Sequence, residues 1–244
     1  LEFFKRAGEL LDYKTPENIF LIEPWIPKES TVLIHGVPSL GKTPLMWQMA
    51  QAIQTGGKFL GKQAEQGNAL VVEFDMPLIT VKYRWEKAEP KFDPDFGMFM
   101  WKTCIDSLQL VSRTADNRHK ELRKMFQEYN KEFDPVFVGV DALRQVVAGN
   151  LNDEGAVHIY NAWHMTFPKA TVAFVHHENK DKNPFVKLPG QQKAKGSYEW
   201  VDIAQVALRL EGGAKGTRLE ITKSHVSELG HVPLNMKPGG VYFK

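Results

Sequence analysis

The stretch TVLIHGVPSLGKTPL, residues 31–45, constrains the architecture of this chain more than any other. The apolar run TVLIH reads as a buried strand. It feeds a loop of the form GxxxxGK[ST], and a helix is predicted from about Pro44 to Thr55. Gly36 and Gly41 let the backbone curl so that successive N–H groups point at one place, and the helix N-terminus adds partial positive charge there. A strand, loop and helix in that order cradle phosphate, with Lys42 reaching the β- and γ-phosphates and the Thr43 hydroxyl ligating Mg²⁺. Pro44 does not break the helix, because N–H groups of a first turn have no intrahelical partner to lose. The candidate nucleotide-binding residues are Gly36, Pro38, Ser39, Gly41, Lys42, Thr43 and Pro44, and the implied cofactors are ATP and Mg²⁺.

Further apolar runs follow at ALVVEF (69–74), FGMFMW (96–101), VFVGV (136–140) and TVAFV (171–175). Helix-like stretches lie near 77–89, 116–132 and 154–167. Continuous rather than alternating strands, separated by helices, predict a mostly parallel sheet covered on both faces. The tail differs: QVALRLE, TRLEITKS and VPLNMKPGGVYFK are parted by glycine-containing turns and read as antiparallel strands. Residues 2–12 space Phe3, Phe4, Ala7, Leu10 and Leu11 as a short amphipathic helix that needs a surface in this chain or in a neighbouring copy.

The chain's 244 residues, 43% hydrophobic and 25% charged, suit one large domain with its own core. The expected divisions are a helix and lead-in over 1–28, a core over 29–225 and a strand tail over 226–244. A net charge of +2 leaves attraction to nucleic acid to local patches. A single cysteine, Cys104, excludes an intramolecular disulfide and a cysteine-built metal site, so a cytoplasmic location is expected. No apolar run reaches the length of a membrane span, and Lys5, Arg6 and Glu9 break the opening LEFFKRAGELL too soon for a signal peptide. The start at Leu1 is compatible with an upstream segment or partner domain.

A phosphate loop needs an acid for its metal, and VFVGVD places Asp141 at the tip of a buried strand. In VVEFDMP, at the end of what is expected to be the strand next to that of the phosphate loop, Asp75 can orient and deprotonate an attacking water. Glu73, two residues earlier and on the same side, is the second candidate, deeper but with longer reach. TVAFVHH ends in His176 and His177. Strand alternation sends one toward the γ-phosphate and the other into packing or solvent, and adjacent histidines do not readily chelate a metal from one strand. Beyond them, Lys180, Lys182, Lys187, Lys193 and Lys195 face a single acid, Asp181, with Phe185 among them. Such a loop can follow a nucleic-acid backbone while its aromatic stacks on a base. Residues 148–154 and 178–197, rich in Gly, Asn, Pro, Lys and Gln, are the expected flexible segments.

In their order, PWIPKESTVLIHGVPSLGKT, VVEFDMP, VFVGVDALRQVV, VAFVHHENK, KGSYEWVDIAQVALRLE and RLEITKSH resemble a RecA-type ATPase of the RepA and DnaB-like hexameric helicase group, over roughly residues 20–225. The resemblance implies an α/β fold, a RecA-like P-loop NTPase core with a twisted, mainly parallel sheet, helices on both faces and antiparallel C-terminal strands. It also implies a homo-oligomer, a hexameric ring or a filament, with active sites between subunits, channel loops that hold single-stranded DNA, and a possible loader protein. Carried over, Asp75 is the catalytic acid, Asp141 the metal-associated acid, His176 and His177 the sensing strand end, and the segments near 148–154 and 178–196 the DNA loops.

Two departures stand out. The family usually has glutamate at Asp75, and its lysine, any residue, arginine pattern becomes Lys223, Ser224 and His225. The arginine offered to a neighbour's phosphates is thus missing there, leaving Lys223, Arg209 or Arg218 as intersubunit candidates. The leading expectation is an ATP-hydrolysing, single-stranded-DNA-binding motor, a replicative helicase of phage or plasmid type. Its alternatives are a RecA-like recombination or strand-annealing ATPase, a P-loop small-molecule kinase, and an inactive nucleotide-binding interaction module.

Overall fold

The apolar runs become neighbours in one sheet. The computed structural model describes residues 8–9, 12, 14, 16–88, 98–101, 117–143, 156–178, 199–213, 216–236 and 242–243. Two short strands, β1 (Phe20–Ile22) and β2 (Ile26–Pro27), lead into β3 (Thr31–Gly36) and helix α1 (Lys42–Thr55). A small hairpin of β4 (Lys58–Phe59) and β5 (Lys62–Gln63) precedes β6 (Ala69–Glu73), α2 (Leu78–Ala88) and β7 (Met98–Trp101). Next come α3 (Asn117–Phe133), β8 (Phe137–Asp141), α4 (Ala156–Thr166), β9 (Thr171–His177) and the single turn α5 (Glu199–Ile203). The chain then runs through β10 (Val206–Gly213), β11 (Gly216–Ser224), β12 (Gly230–Met236) and β13 (Tyr242–Phe243).

The nine-stranded sheet has the order β13-β12-β11-β10-β3-β9-β8-β6-β7. From β10 to β7 every pairing is parallel, whereas β11, β12 and β13 add antiparallel strands at one edge. This is the expected RecA-like P-loop core. One expectation is corrected: β6 does not lie next to β3, because β9 and β8 intervene. A continuous apolar run shows that a strand is buried on both faces, but says nothing about which strand lies beside it.

Both faces are covered. On β3, Val32 and Ile34 join a core with Leu45, Met46, Met49 and Ile53 of α1, while Leu33 between them joins Phe126 of α3 and Tyr160 and Trp163 of α4 on the other face. Alternation along a buried strand divides its side chains between two helical layers. The approach of α1 is close enough that a β-carbon on Gly139 of β8 would lie 2.8 Å from the Met46 sulfur. That contact presses the start of α1, and with it the phosphate loop, onto the sheet between β3 and β8. Residues 8–9 are helical, and the rest of the helix predicted over 2–12 lies outside the described residues. Among the described residues no helix is long and apolar enough to cross a membrane.

Candidate nucleotide site

All the parallel strands end at the same edge, where the loop after β3 curls into α1. Gly41 caps that helix in a left-handed conformation (φ 81°) with no side-chain capping bond, and no acidic residue occupies the first turn. The helix therefore opens with its positive end toward the loop. Lys42 is buried, and its Nζ donates to the carbonyls of Gly36 and Val37 at 2.9 Å each. Burial lowers its pKa to about 8 against the pull of Asp141, Glu178 and Asp75, so it remains mainly cationic at neutral pH.

The Thr43 hydroxyl donates to Oδ2 of Asp141. Asp141 ends β8 and is buried; desolvation raises its pKa to about 6, opposed by the Thr43 bond and by the charges of Lys42 and Arg84. Around these groups opens a cleft of about 720 Å³ lined by Pro38, Ser39, Gly41, Lys42, Thr43, Pro44, Asp75, Tyr83, Arg84, Lys87, Asp141, Val175 and His177. Every candidate of the phosphate loop except Gly36 faces it. Gly36 sits behind, at the strand end, where a β-carbon would meet the Leu210 carbonyl oxygen at 2.5 Å.

The two candidate bases separate. Glu73 is register-paired with Asp141 and fully buried, and its Oε1 accepts the N–H groups of Asp75 (2.8 Å) and Met76 (3.1 Å). Burial, then the Asp141 charge, pushes its pKa up to about 9. It is a neutral acid that holds the turn after β6 and does not line the cleft. Asp75 is exposed and does.

The histidines separate as alternation requires. His177 lines the cleft, while His176 is buried with its ring 6.2 Å from that of Trp200 in α5. Of the intersubunit candidates, Arg209 is buried in its own chain, donating from Nε to Glu178 (2.6 Å) and from Nη1 to Glu211 and Glu220 (3.1 Å each). Arg218 pairs with Glu211, and Lys223 donates to the carbonyls of Val201 (3.2 Å) and Asp202 at the end of α5. Lys180, Lys182, Lys187, Lys193 and Lys195 lie outside the described residues, as do residues 148–154.

Two features escape a reading of the sequence. Tyr83 and the cations Arg84 and Lys87 reach the cleft from α2; their one-face spacing on a helix that follows VVEFDMP is the available signal. His35, on β3, lies 3.2 Å from Glu178 beneath the phosphate loop. Within the run TVLIH it reads only as a strand residue.

A family model described as an AAA domain matches residues 4–183. No curated protein matches the sequence. Among solved structures 442 chains match, so the fold by itself does not select an activity. One of them, described as an ATPase domain, aligns with a TM-score of 0.63 over 88% of this chain and 84% of its own, at 13% identity. At that identity the likeness is one of fold.

Proposed function

The chain belongs to the AAA domain family, and from that premise we propose that it is an ATP-hydrolysing motor acting on single-stranded DNA, a helicase of the phage or plasmid replicative type. The observation that carries the ATPase half is the bond from Thr43 to Asp141 in a cleft that Lys42 also lines. A hydroxyl and a carboxylate from separate elements, converging on one point, are the hard oxygen donors that suit Mg²⁺. Thr43 and Asp141 would hold the ion, which would supply positive charge to the phosphates.

The chain's own groups do the rest. Lys42 exchanges two backbone carbonyls for phosphate oxygens. Asp75, exposed at the cleft, orients the attacking water and takes its proton. Arg84 and Lys87 offer positive charge in the same subunit, where the family's donated arginine is replaced by His225. His177, which lines the same cleft, is assigned the sensing of the γ-phosphate. Past it, after Glu178, the chain enters the lysine-rich segment proposed to hold DNA, so a change at the strand tip has a short covalent path to that segment. In this reading the whole chain is one ATPase domain that works as a ring or filament of identical copies.

Lys223, bonded to α5 of its own chain, favours a second reading: a recombination or strand-annealing ATPase that uses slow turnover to switch DNA affinity. Steady-state ATP hydrolysis with and without single-stranded DNA, at low and high salt and with Lys42→Ala as control, tests the proposal. The motor reading expects a several-fold stimulation by DNA that salt abolishes and a silent mutant. Hydrolysis indifferent to DNA removes the coupling claim and favours the small-molecule kinase. ATP binding without turnover leaves an interaction module.

A further inference from the structure

The phosphate loop rests on β10. Leu210 of that strand presses its carbonyl against Gly36, and its neighbour Arg209 reaches toward the tip of β9. Arg209 and His35 are register partners on β10 and β3, and His35 is in turn the partner of His176 on β9. Glu178 lies one residue past the end of β9, and its carboxylate extends toward both Arg209 (2.6 Å) and His35 (3.2 Å). Its backbone N–H donates to the Gly36 carbonyl at 3.1 Å, the same oxygen that accepts from Lys42. Glu178 is therefore pinned at both ends, by its backbone to the phosphate loop and by its side chain to β10.

A carboxylate beneath a phosphate-binding loop opposes the binding of an anion unless it is neutralised nearby. The Arg209 guanidinium supplies that charge, and its planar fork fixes direction as well. Neither Arg209 nor Glu178 lines the cleft. His177, bonded directly to Glu178 in the chain, does. From this arrangement we infer that Arg209 and Glu178 act as a positioning pair that sets His177 and the Gly36 carbonyl for nucleotide turnover, rather than as an intersubunit finger and a loop residue. The inference rests on the reading of the cleft as an ATPase site.

Glu178→Gln, Arg209→Gln and the double variant test it in the full chain. Arg209→Gln leaves the buried Glu178 carboxylate without its guanidinium, whereas in Glu178→Gln the guanidinium keeps Glu211 and Glu220, so the double variant, which removes both charges, should unfold at a higher temperature than Arg209→Gln. Positioning predicts that all three lose kcat alike, by about tenfold, with the ATP dissociation constant within about threefold of wild type. A second readout needs no hydrolysis: the imidazole resonance of His177, assigned with His177→Gln, shifts on adding Mg²⁺ and ADP in the wild type and loses that response in all three variants. Wild-type kcat and an unchanged His177 response in the variants overturn the inference. So does a kcat that recovers in the double variant along with its melting temperature, since the pair is then scaffolding. A wild type that hydrolyses no ATP while its His177 response is still lost in the variants defeats the ATPase reading and leaves the positioning pair standing.

Discussion

Replacing Glu73 by glutamine separates the two acids that meet at the tips of β6 and β8. Glu73 is buried with a pKa pushed up to about 9, first by burial and then by the neighbouring Asp141, whose own pKa is about 6. At neutral pH Asp141 is ionised and Glu73 is not. The folded chain thus keeps a proton that the unfolded chain, with an ordinary carboxyl near 4.5, releases. Stability from this group is complete below the unfolded value and is lost as pH rises through about 9. Between about pH 6 and about pH 8 the loss approaches about 3 kcal/mol, at about 1.4 kcal/mol per pH unit.

A glutamine at position 73 binds no titrating proton, yet its carbonyl can keep the N–H groups of Asp75 and Met76 that Oε1 now accepts. Urea unfolding at fixed ionic strength, repeated across that pH window, should show the wild type losing about 3 kcal/mol more than Glu73→Gln. Parallel pH dependences would refute the reasoning, because Glu73 would then ionise as an exposed carboxyl does. ATP hydrolysis by the same variant should stay within about threefold of wild type, and a loss of about two orders of magnitude would transfer the base role from Asp75 to Glu73.

Two other changes address the cleft. Thr43→Val keeps the side chain's shape and removes the hydroxyl that Asp141 accepts; turnover should fall by about two orders of magnitude and saturate only at raised Mg²⁺, as read from a Mg²⁺ titration of the ATPase rate. Arg84→Met removes a cation that lowers the pKa of Asp141, so the acidic limb of the pH–rate profile should move to higher pH, and an unmoved limb would sever Arg84 from the metal acid.

The parts of the fold that can be read directly are those where spacing dictates geometry. GVPSLGKT ties the end of β3 to the start of α1, and alternation along HH sends the two histidines to opposite sides, although only the fold tells that His177 is the one in the cleft and His176 the one in the packing. Strand order is hidden, since ALVVE and TVAFV are equally apolar and either could lie beside β3. Side-chain networks across distant elements are hidden too. Arg209 reads as one more cation on a tail strand; Glu211 follows it on β10, but Glu220 on β11 and Glu178 past the end of β9 reach it only because β11 pairs with β10 and β3 alone separates β10 from β9. Arg84 and Lys87 read as ordinary solvated charges until α2 brings them to the cleft that the phosphate loop lines.

The strand order that the sequence conceals also decides which of the acids carries the proton. Because β6 lies beside β8 rather than beside β3, Glu73 and Asp141 end their strands in register, as neighbouring carboxyls in a buried setting. Two like charges there cannot both ionise cheaply. Asp141 has Thr43, Lys42 and Arg84 to favour its anion, whereas Glu73 has only two backbone N–H groups and the repulsion of Asp141 itself. The proton therefore stays on Glu73, and a protonated buried acid cannot serve as a base at neutral pH. In the proposed ATPase reading that duty is assigned to the next carboxylate along the chain, Asp75, whose N–H Glu73 accepts. The shorter side chain at position 75 starts from a turn already at the cleft rather than from within the sheet, so it needs less reach than a base on the strand would.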